Sequence, residues 1–133
     1  MSPEERKEYV EYRMKTSFDT YYAAKVLAEN GFWNSAVNRL YYSAFYAVNA
    51  LLVQNEIYSS SHSGLRSQFS LHFIKTGKLD RKYGNLLSQL YDWRQKADYG
   101  NVFDFDPESV KPQFDHVIDM IRQIEKEIIK VTD

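Results

Sequence analysis

The sequence predicts an all-α protein: an antiparallel up-and-down bundle of four long helices plus one short helix, forming a single domain over residues 1–133. Three observations carry this expectation. Apolar side chains recur at spacings of three and four in four separate segments, the period of a helix with one face in a core. Each segment is bounded by residues that start or stop helices. The connections are short, which favours antiparallel neighbours.

Ser2-Pro3-Glu4-Glu5 opens the first helix with an N-cap serine, proline at the first helical position and glutamate three residues after the cap. Val10, Met14, Phe18, Tyr21 and Tyr22 continue it, and Asn30-Gly31 ends it as a left-handed cap. Asn34 is placed to cap a second helix reaching about Asn55. Val37, Leu40, Tyr41, Ala44, Phe45, Val48, Leu51 and Leu52 give that helix an apolar surface wider than one stripe, so it should be central. Its one charge, Arg39, must either snorkel to water or meet a partner.

Ser59-Ser60-Ser61-His62-Ser63-Gly64 reads as a polar surface loop, followed by a short third helix from Leu65 to Lys75 that Thr76-Gly77 ends. The fourth helix, from about Asp80, carries Tyr83, Leu87, Leu90, Arg94 and Ala97 at core spacing, which sets an arginine in the apolar stripe. Asp106 caps the last helix at Pro107, and Val117, Ile121, Ile124, Ile128 and Val131 form its seam. Pro112 is expected to kink or restart its first turns, because proline removes a backbone donor.

A chain of 133 residues buries roughly two thirds of its unfolded surface. With 44% hydrophobic and 26% charged residues, extensive disorder is not expected. The formal net charge of -1 supplies no overall field toward nucleic acid or anionic membrane, so any RNA contact must be local. Cysteine is absent, which removes disulfides, thiolate metal sites and cysteine nucleophiles. No apolar run approaches about 20 residues, the N-terminus is charged, and the expected location is cytoplasmic, with no membrane partner.

The sharpest local oddity is the run from Trp93 to Asn101. A guanidinium buried without partners is costly, so Arg94 must reach a carboxylate, the end of the bundle or a ligand phosphate. Asp98, one turn on, is the obvious carboxylate. The three histidines, His62, His72 and His116, have no metal-site spacing with nearby acids, and no metal or cofactor is expected. Arg66 and His72, six positions apart in one helix, are about 600° apart around the axis and cannot readily converge. Phosphate loops, Ser-His-Asp arrangements and HExxH helices are missing.

Three stretches together resemble the HEPN family, named for higher-eukaryote and prokaryote nucleotide-binding proteins. They are Asn38 to Phe45, His62 to Leu65 with Phe73 to Leu79, and Leu90 to Gly100. The resemblance spans about residues 5 to 130 and implies a helical bundle, commonly a homodimer, often partnered by a minimal nucleotidyltransferase in a toxin-antitoxin or related pair. It also implies RNA. HEPN ribonucleases carry an arginine followed four to six residues later by histidine, and Arg94 matches that arginine. The histidine position falls here on Tyr99, Gly100 or Asn101, so the motif's general base is missing. In some pairs the partner adenylylates a tyrosine two residues beyond the histidine, a position that is Asn101 here.

The leading expectation is a non-catalytic or atypical partner protein binding a nucleotide, RNA or nucleotidyltransferase through Arg39, Tyr42, Arg94 and Tyr99. Arg94 would grip phosphate by its planar fork while the tyrosines stack on a base. The alternatives are a metal-independent endoribonuclease toxin, with Arg94, Asp98 and Tyr99 as catalytic residues, and a purely structural dimerising module.

Overall fold

A computed structural model of the chain describes residues 1–99 and 103–132, except the side chains of residues 131 and 132. The order is α1 (Pro3–Glu29), α2 (Trp33–Gln54), α3 (His62–Phe69) continued by a π-helical turn (Ser70–Ile74), α4 (Arg81–Asp98) and α5 (Pro107–Thr132). The described residues are all-helical, with four long helices and a short one packed together as the sequence predicts. No helix among the described residues is long and apolar enough to cross a membrane.

The helix ends follow their local chemistry. Ser2 Oγ accepts from Glu5 N at 3.1 Å, and Asp80 Oδ1 accepts from Lys82 N at 2.8 Å. At the end of α1, Gly31 has a φ of 82°, with Gly31 N donating to Ala28 O and Phe32 N to Leu27 O. This Schellman closure satisfies carbonyls the helix would leave unpaired. The same closure ends α2, but the left-handed position is Glu56, at a φ of 60°.

Three expectations change. Helix α2 begins at Trp33, so Asn34 is not its cap. Instead its side chain donates to Phe103 O at 2.8 Å and accepts from Phe105 N at 3.0 Å, pinning the segment before α5. Helix α5 continues through Pro112 without a restart, with Asp106 Oδ1 accepting from Glu108 N at 3.3 Å. The serine run is not all loop, because Ser61 Oγ accepts from Gly64 N at 2.9 Å and starts α3 at His62, three residues before Leu65. Leu65, Phe69 and Phe73, spaced by four, then hold this helix against the core.

Central α2 packs against every other helix. Ala36, Ala44, Ala47 and Ala50 are buried along it, and these small side chains permit close approach of α1, where Ser17 Oγ donates to Ser43 O at 2.6 Å. On its other side α2 meets Leu86, Leu87 and Leu90 of α4 and the Val117–Ile128 seam of α5. This leaves a half-buried edge of α2, carrying Arg39, Tyr42, Phe45 and Tyr46.

Candidate functional site

Side chains from α2, α3 and α4 converge at that edge. Arg94 stands in the core stripe of α4, with its side chain 22% exposed. Its Nε lies 2.9 Å from Asp98 Oδ2, an ion pair one helical turn long. The Nε–H is not aimed at that oxygen, so this buried donor makes no hydrogen bond. The carboxylate is also held from α2, where Asn38 Nδ2 donates to Asp98 Oδ1 at 2.8 Å and Asn38 Oδ1 accepts from Arg39 Nε at 3.0 Å and Nη2 at 2.8 Å. Arg39, Asn38, Asp98 and Arg94 thus form one chain of contacts across two helices.

Tyrosine faces line the cations. The Arg94 guanidinium sits 5.4 Å from the Tyr42 ring centre and 5.9 Å from that of Tyr41, and Arg39 sits 5.1 Å from Tyr42. The negative face of a phenol ring favours a cation at such distances. Arg39, Tyr42, Arg94 and Asp98 are therefore brought together. Tyr99 caps the end of α4 and is 80% exposed, beyond the contacts that join the other four. Gly100 and Asn101, the other positions where a motif histidine would fall, lie outside the described residues.

Sequence reasoning missed four members of this cluster: His62, Arg66, Tyr41 and Tyr91. His62, at the first turn of α3, is half-buried, and its Nδ1 lies 2.6 Å from Tyr41 Oη. Its ring packs 4.9 Å from Phe45, 5.7 Å from Tyr41 and 6.1 Å from Tyr91, measured between ring centres. One turn on, Arg66 stacks over Tyr91 with its guanidinium 3.9 Å from the ring centre, and its buried Nε also lacks a hydrogen bond. His72 takes another course, its Nε2 pairing with Gln68 Oε1 at 3.0 Å. The one signal that could have found His62 is Ser61 as an N-cap, which carries the following residue into a helix that packs on α2 and α4.

The electrostatics follow from this placement. Burial lowers the His62 pKa below its ordinary value, and the positive charges of Arg94 and Arg66 lower it further, so the imidazole is neutral near pH 7. Burial is also the main cause of a raised Tyr41 pKa, which keeps that phenol protonated. Of the three guanidiniums, only Arg94 lies against a carboxylate among the described contacts, so the site is locally cationic in a chain of net charge -1. Together they make an aromatic cluster with donors in excess of acceptors.

A helical bundle with such an arginine on its fourth helix defines a class that comparison with known proteins names. The HEPN domain model matches residues 10–129, and the chain belongs to the HEPN domain family. It is 36% identical over 107 residues to the UPF0332 protein of Thermotoga maritima, covering 80% of this chain and 81% of that protein. It is 33% identical over 109 residues to a protein of Methanocaldococcus jannaschii named "Putative toxin", covering 80% and 81% of the two chains.

Proposed function

We propose that this chain is the HEPN component of a toxin-antitoxin type pair, and that it binds the phosphate of a nucleotide or of RNA at the Arg39, Tyr42, Arg94 cluster. The observation that carries this reading is Arg94 itself, a half-buried cation with an unsatisfied Nε–H beside two phenol rings and a second guanidinium. Phosphate oxygens would complete its donor set, and Tyr42 offers a face for a base. The toxin-antitoxin part rests on the name of the Methanocaldococcus relative and on the family.

Binding fits the cluster better than cleavage does. Both Asp98 oxygens are already engaged, Oδ1 by the hydrogen bond from Asn38 Nδ2 and Oδ2 by the 2.9 Å ion pair with Arg94, so the carboxylate is held within the cluster rather than presented to a substrate. Tyr99 lies outside the joined contacts. A homodimer and a minimal nucleotidyltransferase are the proposed partners. Sedimentation at high micromolar concentration tests the dimer, which a purely monomeric boundary would exclude.

The binding test is fluorescence anisotropy of labelled oligouridylate and of labelled ADP with the natural chain and with Arg94→Ala. Losing one charge-assisted grip is expected to weaken binding roughly tenfold or more. The same RNA incubated with excess chelator should remain intact. Cleavage products that vanish in Arg94→Ala would replace the binding role with a metal-independent nuclease.

A further inference from the structure

The phosphate reading uses Arg39 and Arg94 but leaves His62 and Arg66 without a role. Both pack on the same aromatic cluster from α3, meeting at Tyr91, and neither has an acidic partner among the described residues.

The Tyr41–His62 contact fixes what the imidazole can offer. Tyr41 is fully buried, and among the described residues its hydroxyl has one partner, His62 Nδ1 at 2.6 Å. A buried hydroxyl that withholds its proton from its sole acceptor leaves a donor unsatisfied, which is costly. Tyr41 therefore donates to Nδ1, and the proton of the neutral imidazole resides on Nε2. That nitrogen lies on the opposite side of the ring from the buried phenol, and it has no partner among the described residues. Phe45, Tyr41 and Tyr91 hold the ring in this orientation.

We infer that His62 and Arg66 complete the phosphate site begun by Arg94, His62 through a fixed Nε2–H donor and Arg66 through its guanidinium, which Tyr91 holds flat. The inference rests on the phosphate-binding reading and assigns it two further residues from a different helix. The site is then a three-pronged cradle of donors around an anion. His62 acts in it as a donor rather than as a proton acceptor, because the lone pair of the imidazole is occupied by Tyr41. A phosphoryl group on a free nucleotide and a phosphodiester in a single strand share this chemistry.

The experiment measures affinities of the full-length protein for labelled oligouridylate, ADP and inorganic phosphate, comparing the natural chain with Arg94→Ala, His62→Ala, His62→Gln and Arg66→Ala. Far-UV circular dichroism confirms that each variant folds. His62→Ala and Arg66→Ala are each expected to weaken binding roughly tenfold. His62→Gln retains most of the affinity, because its amide supplies both an acceptor for Tyr41 and an N–H donor. Tight binding of ADP with weak binding of oligouridylate assigns the cradle to free nucleotides, and the reverse assigns it to a strand. Nitrogen-15 spectra of the imidazole should show the Nε2–H tautomer. Binding that Arg94→Ala reduces but His62→Ala and Arg66→Ala leave unchanged would overturn this inference and spare the phosphate reading. If the natural chain binds none of the three probes, both fall. A dominant Nδ1–H tautomer would overturn the donor role.

Discussion

Tyr41→Phe removes one atom group from the cluster and leaves everything else in place, so its consequences can be worked from the geometry. The ring is fully buried and packs against Tyr42, Phe45, Tyr91 and His62, contacts that phenylalanine keeps. What is lost is the 2.6 Å hydrogen bond to His62 Nδ1. A net hydrogen bond is worth about 0.5–1.5 kcal/mol, and an orphaned buried acceptor costs about 1–3 kcal/mol more. His62 is only half-buried, so water can recover part of the second cost. The expected loss is about 1–2 kcal/mol. For 133 residues the unfolding entropy is about 0.28 kcal/mol per degree, which converts this to a fall in Tm of about 4–7 °C. Two local signs should accompany it. The His62 pKa should rise, since the lost bond favoured the neutral ring, and the imidazole should populate both tautomers. Differential scanning calorimetry and nitrogen-15 spectra measure these, with Tyr42→Phe as a control expected to stay within about 0.5 kcal/mol. An unchanged Tm together with an unchanged tautomer would refute the claim that Tyr41 orients His62.

Two other perturbations have signs set by the structure. The His62 pKa is held below its ordinary value of 6.5 by burial and then by Arg94 and Arg66, so the unfolded chain binds this proton more readily. Its contribution to stability is therefore full above about pH 6.5 and is lost as pH falls from there toward the lowered folded value; urea midpoints should fall less steeply across that window in His62→Gln than in the natural chain. Glu56→Gly relieves a left-handed backbone position at a φ of 60°, and the 3.4 Å ion pair it removes joins Arg6 to a carboxylate that is 69% exposed. Exposed pairs are worth little, so the variant should gain about 0.5–1 kcal/mol by urea denaturation, and a loss of stability would show that the Arg6 contact matters more than the backbone.

The long helices were legible in the sequence because their causes are local. Ser2 with Pro3, Gly31, and the apolar spacing in α2 and α5 act within a few residues of themselves, and the structure places them where those rules do. Arg94 was legible as an anomaly for the same reason: a charge in an apolar stripe is visible without knowing the neighbours. The role of Asn34 was not, because its partners at Phe103 and Phe105 are about seventy positions away, and capping is only one use of a short amide. His62 was hidden for a similar reason. All five other residues of the run from Ser59 to Gly64 are serine or glycine, which reads as loop, and its partners Tyr41, Tyr91 and Arg94 are supplied by helices that only packing brings together. A motif search along α4 reports a missing histidine. The histidine that packing brings to this cluster comes from α3, and its Nδ1 is engaged by Tyr41.

The central claim is that the cluster around Arg94 grips phosphate, and salt dependence tests it most directly. Affinity for oligouridylate should be measured over a range of ionic strength for the natural chain, Arg94→Ala and Arg39→Ala. Each phosphate contact to a single strand contributes about 0.7 to the slope of log affinity against log salt. The account predicts a slope that falls by about that amount in each variant, with affinity at fixed salt dropping most in Arg94→Ala. Equal slopes and equal affinities in all three proteins would contradict it.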